Sequence, residues 1–212
     1  PPLNNRDIRR AMQIGLDMDE SMEVATDGAF DLQPGFQYPG NPYYTDAGKQ
    51  YYNVKDVKKA QELLKSGGYK GEEIVLMTLP AYQSMYDAAV VMVEQMKAIG
   101  FKVRLDPVDL PQMGARQPKG ADGGWHLSFN GLGTGPAVGP LAAITFMNGP
   151  TKWTHAPDPT FDALYAEILQ GETLEARKAS FAKAQERMKA AAGGDAAAAP
   201  AAEGEAKEAA AT

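Results

Sequence analysis

Apolar residues recur at helical spacing from the first residues of the chain. Ile8, Ala11, Met12, Gly15 and Leu16 share one face, with Asn4 and Asn5 as N-cap candidates and Asp7 in the first turn, so the pattern predicts an opening helix. A shorter helix is expected from Asp19 to Thr26, stopped at Gly28. Pro34, Gly35, Pro39, Gly40 and Pro42 then punctuate an aromatic-bearing stretch that reads as an ordered loop. Val57, Ala60, Leu63 and Leu64 predict a helix ending at Gly67-Gly68, and the unbroken apolar run from Ile74 to Leu79 predicts a buried strand. Ala88, Met92, Met96 and Ile99, with Ala89 and Val93 beside them, form the stripe of a longer helix that stops at Gly100. Phe101, Val103 and Leu105 alternate as a second strand, and Trp125, Leu127 and Phe129 as a third.

Residues 54–106 therefore read helix, strand, helix, strand, the pattern of an α/β fold in which crossover helices cover a sheet. The glycine-rich segment Gly131 to Gly139 follows the third strand, and ligand groups gather at such strand ends. Phe161, Leu164, Tyr165, Ile168 and Leu169 line another helical face, and Leu174, Phe181, Ala184 and Met188 mark a further helix beginning near Thr173. From Gly193 onward Ala, Glu, Gly, Pro and Asp dominate, and too little apolar area remains to offset the entropy of ordering. The expected organisation is one lobe over residues 1–192 and a disordered alanine-rich tail over 193–212.

Composition removes several function classes. A chain of 212 residues, 44% hydrophobic and 23% charged, supports one substantial core and holds no apolar run of the roughly 20 residues that span a bilayer. The formal charge of −6 works against nucleic acid as a partner, because that affinity needs clustered Lys and Arg. The absence of cysteine excludes disulfides, zinc-thiolate sites and thiol catalysis. The opening Pro1-Pro2-Leu3-Asn4-Asn5 carries neither an initiator Met nor an apolar signal core, so a piece of a longer protein is expected.

The segment Asn4-Asn5-Arg6-Asp7-Ile8-Arg9-Arg10-Ala11, followed by Gly15-Leu16-Asp17-Met18-Asp19, resembles the phrase that opens the C-terminal lobe of family 5 extracellular solute-binding proteins. These are the peptide and nickel receptors of ABC importers. Later phrases keep the family's order: Lys59-Ala60-Gln61-Glu62-Leu63-Leu64-Lys65-Ser66-Gly67-Gly68-Tyr69, then Val93 to Val103, the Trp125 strand, and Pro157-Asp158-Pro159-Thr160-Phe161. The resemblance implies one α/β lobe of a type II periplasmic-binding-protein-like clamp, with a mixed sheet flanked by helices. It implies a peptide or small-molecule ligand, an ABC transporter permease and an N-terminal lobe as partners, and a periplasmic or extracytoplasmic location. No cofactor is implied. An isolated structural or interaction lobe without transport activity is the alternative.

On that reading the ligand surface comprises Asn130, Gly131, Leu132, Gly133 and Thr134, where glycines let backbone amides approach a ligand and Asn130 and Thr134 offer hydrogen bonds. The same segment also suits an ordinary surface loop. Gly133-Thr134-Gly135-Pro136 lacks the acid that pairs with a peptide ammonium group in the family's peptide receptors, and Leu132 stands where those receptors often carry tryptophan. Tyr82 and Gln83 open a helix whose amides favour an anion such as a carboxylate, although plain capping is the simpler account of them. Trp153 either flanks the cleft or packs. His126 and His155 are the only histidines, nothing brings them together, and no catalytic motif accompanies them, so no catalytic residue, metal ligand or enzyme is expected.

Overall fold

In this computed structural model the described residues are 2–129, 131 and 158–193. The first helix, α1 (Arg6–Gly15), starts where Asn5 accepts the Asp7 and Ile8 amides at 2.8 and 3.3 Å. The same Asn5 donates through Nδ2 to Gly67 O at 3.1 Å, so one side chain caps α1 and holds the end of α3 (Val57–Ser66). Between them α2 (Met18–Thr26) is capped by Asp17, which accepts the Glu20 amide at 3.1 Å, so the helix begins one residue earlier than the Asp19 start the pattern predicts.

The sheet has three strands in the order β2-β1-β3, with β1 (Ile74–Thr78) in the centre and buried along its whole length. β2 (Val103–Pro107) pairs parallel with β1 from Ile74↔Val103 to Thr78↔Pro107, and β3 (Leu127–Ser128) pairs parallel on the other side at Leu76↔Leu127 and Met77↔Ser128. Parallel neighbours need a crossover, and α4 (Gln83–Ile99) supplies it. It ends at Gly100, whose φ of 114° lets its amide close the last turn on Lys97 O and Met96 O. All described strands are parallel; an antiparallel member of the expected mixed sheet is not among the described residues.

Alternation along β1 divides the core. Ile74 and Leu76 join Ile8, Ala60, Met96 and Ile99 under the helices, whereas Met77 and Leu79 pack with Val108, Met113 and Trp125. Gly15 permits the first packing, because a Cβ there would lie 2.6 Å from Ile99 Cδ1 and 2.7 Å from Ala60 Cβ. Trp125 corrects the simple alternation: it packs with Met77 and Leu79, while Leu127 and Phe129 pack against the helix-side cluster. It precedes the ladder, after Gly124 at φ 74°, and its indole N–H donates to Arg116 O at 2.9 Å.

Helix α5 (Leu110–Arg116) has no counterpart in the sequence reading, although Asp109 and Gln112 form a capping box at 2.7 and 3.2 Å. Its last residue, Arg116, bonds Gly123 O at 2.7 Å, Gly124 O at 3.0 Å and Asp106 Oδ2 at 2.7 Å, fixing the entry into β3. Finally α6 (Pro159–Gln170) and α7 (Leu174–Gly193) build a third cluster around Phe161, Ile168, Phe181 and Ala184. Phe181 holds Phe36 and Tyr43 edge-on at 6.5 and 5.6 Å between ring centres, which orders the Pro- and Gly-rich loop. The expected tail begins at the end of α7, and residues 194–212 lie outside the described residues.

Candidate functional site

Parallel strands and the helix that follows them leave one end of the sheet where strand carboxyl ends and a helix amino end meet. Here that end is formed by Thr78 of β1, Phe129 and Gly131 after β3, and Tyr82 to Met85 at the start of α4. Tyr82 is the N-cap residue of α4 yet offers no side-chain cap, because a phenol cannot fold back onto its own helix amides as Ser or Asp does. Its carbonyl accepts the Met85 and Tyr86 amides at 3.0 and 3.1 Å, and the ring stands 51% exposed. An amino end without a capping side chain keeps the partial positive charge of the helix available to an anion.

The Gln83 side chain runs along the helix. Its Nε2 donates to Asp87 Oδ1 at 2.8 Å, one turn along the same helix, so its amide is engaged as an i, i+4 pair. Gly131 lies against the same first turn: a Cβ there would stand 2.2 Å from Met85 Cε. The space beside Gly131 is taken by the tip of the Met85 side chain, which an added Cβ would displace. Tyr82 and Gln83, neighbours in the chain, and Gly131, far from them in sequence, are brought to one end of the fold. Asn130, Leu132, Gly133, Thr134 and Trp153 lie outside the described residues.

Two residues of this end escaped sequence reasoning. Met85 reads as one more apolar helix position. Thr78 closes an otherwise apolar strand and is fully buried, and its Oγ1 has no hydrogen-bond partner among the described residues. A hydroxyl inside the run Ile74 to Leu79 was the available signal.

His126 stands just before β3 as part of the ladder. Its amide donates to Val75 O at 2.9 Å and its Nδ1 accepts the Val75 amide at 3.1 Å. Burial lowers its pKa below the ordinary imidazole value, and Glu73 opposes that shift. His155 lies outside the described residues. Among the described residues no three His, Asp or Glu side chains are grouped as a metal site, and no helix is long and apolar enough to cross a membrane.

Residues 1–154 match the family described as bacterial extracellular solute-binding proteins, family 5 Middle. A curated relative, the "Probable peptide ABC transporter periplasmic-binding protein y4tO" of Sinorhizobium fredii, is 30% identical over 129 residues, covering 58% of this chain and 24% of the relative. Among solved structures, the ABC transporter substrate-binding protein CtaP of Listeria monocytogenes superposes with a TM-score of 0.77 at 23% identity, over 91% of this chain and 40% of its own. NikA of Brucella suis, solved with Fe(III)-EDTA, gives 0.75 at 20% identity, over 89% and 41%. The oligopeptide-binding protein AppA of Bacillus subtilis, solved with a nonapeptide, gives 0.70 at 19% identity, over 89% and 40%. The chain thus spans about a quarter of the curated relative and about two-fifths of these structures. With a family match over most of its length and a fold shared with type II periplasmic-binding proteins, the chain belongs to the family 5 bacterial extracellular solute-binding proteins.

Proposed function

We propose that this chain is one lobe of the substrate-binding component of an ABC importer, and that it captures a peptide or another small polar solute for delivery to a membrane permease. The observation that carries this reading is the uncapped start of α4, with exposed Tyr82, set against Gly131 at the carboxyl ends of parallel strands in a member of this family. An anionic group of the solute would meet the α4 amides, and Tyr82 would cover an apolar part of it. Residues 1–192 make up the lobe, Asn130, Leu132, Gly133, Thr134 and Trp153 extend the surface, and a companion lobe closes over the ligand. Closure excludes water and strengthens each polar contact. The location is periplasmic or otherwise extracytoplasmic, and the bound solute is not chemically changed.

The test is thermal unfolding with and without millimolar peptides, sugars or nickel salts. A class of solute that binds the folded state raises the midpoint, and Tyr82→Ala reduces that rise. A cooperative transition that no class moves would instead favour an isolated structural or interaction lobe.

A further inference from the structure

We infer that His126 is a positioning residue whose unprotonated Nδ1 ties β3 to β1, so that adding a proton unfastens the strand leading to Gly131. The tie is reciprocal: the His126 amide donates to Val75 O at 2.9 Å, and the Val75 amide donates to Nδ1 at 3.1 Å. β3 is short, Leu127–Ser128, and beyond it the Phe129 amide reaches Met77 O at 2.9 Å. The imidazole therefore supplies one of the few polar contacts that hold this strand.

Chemistry makes the contact sensitive to protonation. A neutral imidazole that accepts at Nδ1 carries its proton on Nε2, whereas an imidazolium has N–H on both nitrogens and accepts from neither. Protonation would set Nδ1–H against the Val75 N–H, donor to donor. Val75 is 5% exposed, so its amide has little access to a substitute water. Burial disfavours the imidazolium, Glu73 just before β1 favours it, and the net pKa lies below the ordinary value. With the folded value lowered, the unfolded chain takes up the proton first. The contribution to stability is complete above about pH 6.5 and is lost as pH falls through the folded value.

The tie does not depend on any ligand. Its consequence for binding, through Gly131 and Met85, rests on the proposed solute-binding reading. The experiment is amide hydrogen exchange at Val75 and Phe129, expressed as protection factors at pH 7 and pH 5, together with NMR titration of the His126 ring. Wild type, His126→Asn and His126→Ala are compared. Wild-type protection is expected to fall about five-fold or more at the lower pH. His126→Asn offers an Oδ1 acceptor that does not titrate in this range and should keep its protection at both values, while His126→Ala should be low at both. A ring that titrates at or above about pH 6.5, or parallel losses in wild type and His126→Asn, would overturn the inference. If protection behaves as expected but a bound peptide's affinity is the same at pH 5 and 7, the tie stands and its link to the ligand site is refuted.

Discussion

Gln185 of α7 holds Phe36 from across the chain: its buried Oε1 accepts the Phe36 amide at 3.2 Å, and its Nε2 donates to Thr45 O and Ala47 O at 3.0 and 2.9 Å. One side chain thereby satisfies three backbone groups of a loop that lacks strand or α-helix partners of its own. Gln185→Leu fills similar volume but strands those groups, and is expected to cost about 2–4 kcal/mol. Chemical denaturation checks this; a loss below about 0.5 kcal/mol would mean that water replaces the amide.

Gly15→Ala tests the close approach of α1, α3 and α4. Ile99 Cδ1 can swing aside, but Ala60 Cβ, 2.7 Å from the added methyl, moves only with its helix. The change removes a helix-weakening glycine worth about 1 kcal/mol. Overpacking of about 1–3 kcal/mol should outweigh that gain, so the thermal midpoint falls.

Gly131→Ala should drive Met85 from the first turn of α4, because the new Cβ would lie 2.2 Å from Met85 Cε. Met85→Ala alone opens a gap, and the double substitution should recover part of the stability lost by Gly131→Ala. A double-mutant cycle with a coupling of about 0.5 kcal/mol or more in that direction would establish the contact, and strict additivity would refute it.

Asn53 sits at φ 53°, with its Oδ1 accepting the Met18 amide at 2.8 Å and its Nδ2 donating to Asp19 Oδ2 at 2.8 Å. Beside it Lys55, at φ 61°, pairs with Asp17 and Asp19, and the hydrogen bonds from Lys55 and then Asn53 hold the Asp19 carboxyl below its usual pKa. Asn53→Ala removes both polar contacts and leaves alanine in a left-handed conformation, for an expected loss of about 1–3 kcal/mol. Asn53→Gly keeps the backbone accessible and should lose less. Equal losses, compared by urea unfolding, would exclude a contribution from backbone strain.

The apolar stripes, the glycine stops and the order of helices and strands were legible from residue spacing, because burial of one face imposes a period on the chain wherever a helix or strand must pack. Asn5, Gly100 and the run 74–79 are cases where local chemistry and tertiary role agree. Trp125 is a case where they part: alternation with Leu127 and Phe129 assumed a continuous strand, but the turn at Gly124 and the Arg116 contacts place the ring before the ladder and on the other side of β1. The capping box of α5 was written in Asp109 and Gln112 but is short enough to pass as loop.

Tyr82, Gln83 and Gly131 could each be named from the chain, yet their meeting at one end of the sheet depends on the parallel register of β1 with β3 and on Met85 lying against Gly131. Likewise, nothing in the local sequence says that His126 accepts the Val75 amide or that Gln185 reaches Phe36, because contacts across long separations leave no period behind. The sequence alone determined most of the elements, their order and the family resemblance, since these follow from local spacing and composition. The tertiary structure decided which face each residue occupies and which polar groups become partners, because only packing sets the distances on which those bonds depend.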